Sequence, residues 1–174
     1  MEKIRFETAR LIVRDMTNDD CDLVALSWGS PEVGRYMLDP YYENGDQLRQ
    51  MFTDDELSKH EDWTDEFYFV TTDKASGELN GTACAWLMED DVWGIGYTIN
   101  HQWWNQGLAT ELIHGLEHFI RLQGGKVVSS EIAKANIASL KACYKNGFKD
   151  YQETRFQKSG TSIVYDALEL RKEL

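Results

Sequence analysis

The sequence predicts an α+β (mixed α/β) chain, with helices layered around one sheet, and three observations carry that expectation. Runs rich in aromatic and β-branched residues recur between turn signals, as at Glu66–Thr72. One long stretch repeats apolar residues at helical spacing: Leu108, Leu112, Leu116, Phe119 and Ile120. The elements then follow as strand, helices, three strands, helix, strand, helix and two strands, an order that suits a single core. No repeat, low-complexity tract or linker interrupts the chain, so residues 1–174 read as one domain.

Arg10 to Met16 reads as the first strand, with Leu11 and Val13 alternating against Arg10, Ile12 and Arg14. Asn18 or Asp19 is placed to cap a helix through Leu23 and Leu26 to about Trp28. Residues 45–60 read as helical, with Leu48, Met51, Phe52 and Leu57 facing inward. Glu66–Thr72 is a strand and Asp73–Gly77 a turn; Leu79–Met88 and Val92–Ile99 are antiparallel neighbours across Glu89–Asp91. The amphipathic helix spans about 107–122 and stops near Gly124–Gly125. Lys126–Ala133 returns as a strand, and Asn136 caps a helix to about Lys145. Strands at about 148–158 and 162–171, joined near Ser159–Gly160, finish the chain.

A net charge of −12 argues against nucleic acid or an anionic membrane as the main partner. The charge is uneven: residues 39–66 hold ten carboxylates against Arg49 and Lys59, a local charge of −8. That segment is either a solvated face or a site that favours a cationic amine. The charged start Met1–Arg5 lacks an apolar signal core and no run is long enough to span a bilayer, so a cytoplasmic location is the expectation. Cys21, Cys84 and Cys143 are odd in number and widely spaced, which argues against a disulfide framework.

The strand-to-helix turn at Asn105–Thr110 is the first place to look for an anion. A helix start leaves backbone N–H groups without partners and carries partial positive charge, and Gly107 and Ala109 leave the backbone open.

Two motifs, in order and on the right elements, resemble the GNAT N-acetyltransferases, and more narrowly the RimJ/RimL type that acetylates ribosomal-protein N-termini. The first is Gly96–Ile99 followed by Trp103–Glu111; the second is Asn136–Ser139 followed by Lys145–Phe148. Glu7–Arg14 is similar to the subgroup's opening strand. The resemblance implies a twisted, mostly antiparallel sheet, splayed where acetyl-coenzyme A binds. It implies pyrophosphate on the backbone of Trp104, Asn105, Gln106, Gly107, Leu108, Ala109 and Thr110. It also implies pantetheine paired along Tyr97, Thr98 and Ile99, with Asn136 binding the same region besides capping its helix. Asn105 stands where the family often has glycine, a departure that ordinary backbone angles would accommodate. The implied partners are acetyl-coenzyme A and an amine acceptor, with no metal.

Acetyl transfer to an amine needs a proton taken from the ammonium ion and one given to the departing sulfur. Glu131, five residues before Asn136, is the candidate base; a surface glutamate or a water chain are the alternatives. The family often places a tyrosine acid seven residues after the motif asparagine; here Cys143 takes that place, with Ser139 a second candidate donor. Cys143 reads equally as a buried structural thiol. His114–His118 matches the H-x-x-E-H zinc pattern, although no distant third ligand stands out. Besides an N-terminal peptide acceptor, a polyamine acceptor or a silent acyl-coenzyme A sensor fits the same motifs. Trp28, Tyr36, Tyr41, Tyr42, Trp63 and Phe67 line an acceptor pocket or fill the core.

Overall fold

A computed structural model describes residues 3–52 and 64–174. Its strands are β1 (Ile4–Glu7), β2 (Leu11–Asp15), β3 (Glu66–Asp73), β4 (Leu79–Glu89), β5 (Val92–Ile99), β6 (Val127–Ala133), β7 (Lys149–Gln157) and β8 (Val164–Glu173). Its helices are α1 (Cys21–Trp28), α2 (Pro31–Gly34), α3 (Gly45–Met51), α4 (Leu108–Leu122) and α5 (Ile137–Lys145). All eight strands join one sheet in the order β1-β2-β3-β4-β5-β6-β8-β7. Every pairing is antiparallel except β5 with β6, which α4 connects as a crossover.

That parallel pairing is brief. It joins Val92–Gly94 to Val127–Ser129 and then stops. Beyond it β4 still covers β5 as far as Ile99, and β8 still covers β6 as far as Ala133. Past a last contact, in which Ser130 Oγ donates to the Ile95 carbonyl at 3.4 Å, no backbone pairing among the described residues joins the facing edges of β5 and β6, so the sheet is split in its middle like a V.

Two apolar layers bury the two faces of the sheet. On one side Leu112, Ile113, Leu116, Phe119 and Ile120 of α4 meet Phe67, Phe69 and Ile95 of the strands. On the other, Val24, Ala25 and Trp28 of α1 pack with Leu48, Phe52 and Val70. Phe69 and Val70 fall into different layers because neighbouring strand residues point to opposite faces. Among the described residues no helix is long and apolar enough to cross a membrane.

The first hairpin departs from the expectation. Ile4–Glu7 is a strand that its four-residue length and alternating charges conceal, and Phe6 on it packs against Phe69 and Phe119. Thr17, rather than Asn18 or Asp19, opens the next helical segment as a 3-10 turn, where the Asp20 carboxylate accepts from the Thr17 amide and from Arg14. Leu48 and Phe52 are buried, but Met51 is exposed and its sulfur accepts the Tyr42 hydroxyl. Leu57 and Trp63 lie outside the described residues.

Lys158, in the β7–β8 turn, is fully buried. Its Nζ donates to the carbonyls of Gly34, Met37 and Asp39, and it sits 4.2 Å from the centre of the Tyr41 ring. The hairpin is thereby pinned to the α2–α3 loop. Burial pulls the Lys158 ammonium below its usual range, against the nearby Asp39 charge, which works to raise it.

Candidate active site

The loop before α4 takes two left-handed residues within three positions, Asn105 at φ 60° and Gly107 at φ 77°. Asn105 thus lacks the ordinary angles expected of it, and asparagine is among the few side chains that tolerate this region. At Gly107 an added Cβ would meet only Arg10 Nη2 at 3.7 Å, so the backbone angle rather than crowding calls for glycine. Leu108 then turns inward to seal α4 against the core. The loop follows the unpaired end of β5, so its amides are placed where a bound anion would meet the start of α4.

A tether holds this loop from the β1–β2 turn. Glu111, in the first turn of α4, accepts Thr8 Oγ1 at 2.5 Å, Arg10 N at 2.8 Å and Arg10 Nε at 2.7 Å. Arg10 Nη1 also reaches the Gln106 carbonyl at 2.8 Å. One turn further along α4, Gly115 lets Phe6 and Thr8 approach so closely that a Cβ would sit 2.6 and 2.9 Å from them. Burial works to raise the Glu111 carboxyl, but the hydrogen bonds from Thr8 and Arg10 outweigh it and hold the group below its usual range.

Along β5, Ile99 offers less backbone than expected, because its carbonyl accepts the Trp104 indole N–H at 2.6 Å. The Thr98 side chain is buried against Thr82, 2.7 Å away, on the α1 face. Tyr97 points to the opposite face, where its hydroxyl lies 2.7 Å from Ser139 Oγ and 3.8 Å from Cys143 Sγ. The side chain of Tyr97 is the feature that motif reading missed, since the motif engages only its backbone. The signal was available: Tyr97 alternates in step with Ile95 and Ile99, which face α4 and α5. Burial pushes the Tyr97 phenol well above its usual range, so it stays protonated. Burial likewise pushes the Cys143 thiol up to about 11, and the residue is fully enclosed. Asn136 caps α5 as expected, its side chain accepting the Ser139 amide at 3.3 Å.

Glu131 lies on the other face of the split. Its partner across the sheet is Glu169, which accepts from Ser129, Gln152 and Arg171. Glu131 itself is exposed and has no side-chain partner among the described residues. The candidate base and the Tyr97–Ser139–Cys143 group therefore approach the V from opposite sides. Of the aromatics named for an acceptor pocket, Trp28, Tyr42 and Phe67 are core residues, whereas Tyr41 is exposed. In the zinc pattern His114 is open to solvent with its Nδ1 3.7 Å from Glu117, and Glu117 is buried with Lys172 at 2.7 Å. Among the described residues no group of three or more His, Cys, Asp or Glu could hold a metal ion.

The profile of the acetyltransferase (GNAT) domain matches residues 10–149, which takes in the split strands, the left-handed loop and α5. The chain belongs to the GNAT acetyltransferase family. A curated relative, an uncharacterized N-acetyltransferase p20 of Bacillus licheniformis, is 30% identical over 112 residues, 63% of this chain and 61% of that protein. The match thus spans less than two thirds of the relative's length. Two solved structures share the GNAT fold. The acetyl transferase of Salmonella typhimurium that modifies the N-terminal serine of a 50S ribosomal subunit protein aligns with TM-score 0.80 and 13% identity, covering 99% of each chain. Spermidine N-acetyltransferase from Vibrio cholerae, in complex with CoA and spermine, aligns with TM-score 0.76 and 17% identity, covering 94% of this chain and 95% of that one.

Proposed function

We propose that this GNAT protein moves the acetyl group of acetyl-coenzyme A to a primary amine, with a peptide or protein N-terminus as first acceptor. The observation that carries the reading is the split of β5 from β6 after Gly94 and Ser129, beside the left-handed loop before α4. Pyrophosphate lies on the loop amides and pantetheine along β5, so the thioester enters the V. Glu131 takes a proton from the incoming ammonium ion on one face. The free amine attacks the thioester carbonyl, forming the C–N bond as the C–S bond breaks. The nitrogen sheds its second proton on becoming an amide, and the departing thiolate, hydrogen-bonded from the Tyr97–Ser139–Cys143 side, takes up one proton in its place. The RimJ/RimL motifs support the N-terminal acceptor. A polyamine acceptor is supported by the carboxylates of residues 39–66, of which 53–63 lie outside the described residues.

The test is release of free coenzyme A with N-terminal peptides and with spermidine as acceptors. A higher kcat/KM for peptides is expected, and a preference for spermidine selects the polyamine reading. Glu131→Gln and Tyr97→Phe should each lower kcat by about tenfold or more while the coenzyme A dissociation constant holds. Coenzyme binding without turnover across all amines would leave the acyl-coenzyme A sensor instead.

A further inference from the structure

We propose that Thr8, Arg10 and Glu111 form a buckle that orders the Asn105–Gly107 loop before coenzyme arrives, and that Arg10 cancels a carboxylate which would otherwise repel the pyrophosphate. The inference rests on the acetyl-coenzyme A reading above and assigns to it positioning residues from the far end of the chain.

Three observations converge on it. First, the loop holds two left-handed residues, a conformation that one of them, Asn105, adopts at a cost. A free loop would sample other states, and ordering it on binding would cost affinity. Second, the restraint reaches the loop directly. The Arg10 guanidinium bridges the Gln106 carbonyl and the Glu111 carboxylate, so loop and helix start are held by one rigid fork. The β1–β2 turn that presents it is itself anchored, with Lys74 N donating to the Arg10 carbonyl and Leu11 N donating to Thr8 Oγ1. Gly115 removes the bulk that would keep the turn from α4, so the contact is built rather than incidental.

The third observation is electrostatic. Glu111 puts a negative charge in the first turn of α4, the one place where an incoming pyrophosphate needs none. Arg10 Nε lies 2.7 Å from it and cancels that charge locally. Losing Arg10 has two effects: the loop is released, and Glu111 is left facing the phosphates.

The electrostatic effect separates this role from a merely structural one. Calorimetric titration of coenzyme A into the full chain gives the dissociation constant without any acceptor. Arg10→Met should raise it by about tenfold or more, with a loss that shrinks as salt is added. Arg10→Met combined with Glu111→Gln removes the stranded carboxylate and should recover about half of that loss on a logarithmic scale. Arg10→Lys keeps the charge but loses the fork, and should weaken binding by about threefold; it serves if Arg10→Met does not fold. In turnover, KM for acetyl-coenzyme A should rise in the Arg10 variants while kcat and the acceptor KM hold. Arg10→Met and Arg10→Lys proteins that are folded and bind as tightly as the unaltered chain would overturn the buckle. So would a double variant that binds no better than Arg10→Met. An unaltered chain that fails to bind coenzyme A would instead overturn the acetyltransferase reading, and the buckle with it.

Discussion

The two sides of the split sheet are built on different principles. The side holding β5, α4 and α5 works through backbone: left-handed angles at Asn105 and Gly107, a parting strand edge, and a capped helix. Its side chains mostly position that backbone, as Thr8, Arg10 and Glu111 do. The side holding α1, α2, α3 and the β7–β8 turn works through side chains. There a buried lysine gathers three carbonyls beneath the Tyr41 ring, and Tyr36 packs on Tyr165. A backbone site serves a ligand of constant shape, such as a coenzyme, with almost any residue of compatible angle. A side-chain site is free to change with its ligand.

The comparison is broken most directly at Gly107. Gly107→Glu forces an L-residue to φ 77° and sets a carboxylate where pyrophosphate is proposed to lie. We expect a loss of coenzyme A affinity of about a thousandfold by calorimetry, with the circular dichroism spectrum unchanged. Retained affinity would mean that the phosphates lie elsewhere.

A smaller effect is expected on the opposite side. Lys158→Met leaves the carbonyls of Gly34, Met37 and Asp39 without their donor. It should cost about 2–3 kcal/mol in denaturant unfolding, while coenzyme A affinity holds. If coenzyme affinity fell equally, the two sides would not be separable.

The smallest effect concerns acid stability. Glu111 titrates below its ordinary value of 4.5 in the fold, so its contribution is present above that pH and lost as pH falls through the folded value. The unaltered chain should therefore lose stability on the acid side more steeply than Glu111→Gln, by about 1 kcal/mol or less in urea titrations between pH 5 and 3, a range chosen to bracket that value.

The contrast also explains what could be read from residues alone. The α4 helix was legible because Leu108, Leu112, Leu116, Phe119 and Ile120 declare a buried stripe, and all five are buried. The loop before α4 and the α5 cap, where coenzyme is proposed to bind, were legible because such backbone features leave motifs of glycine, small residues and caps. The split between β5 and β6 was legible only through family resemblance, since strand length does not show where pairing stops. Strand β1 escaped because Ile4–Glu7 alternates charge with apolar residues over four positions. Arg10 and Glu111 escaped because their contact spans 101 residues of chain, and each alone reads as a surface charge. Lys158 escaped for the opposite reason: a lysine in a Ser-Gly turn reads as solvated, and only the folded α2–α3 loop reveals what surrounds it.

That lysine has a chemical consequence. A protein proposed to handle an activated acyl group would expose its own surface amines to modification whenever that reagent escapes. The Lys158 nitrogen is enclosed and donates to three carbonyls, leaving no lone pair to offer an electrophile. Mass spectrometry after treatment of the folded chain with acetic anhydride should find the exposed Lys126 labelled and Lys158 untouched until the chain unfolds.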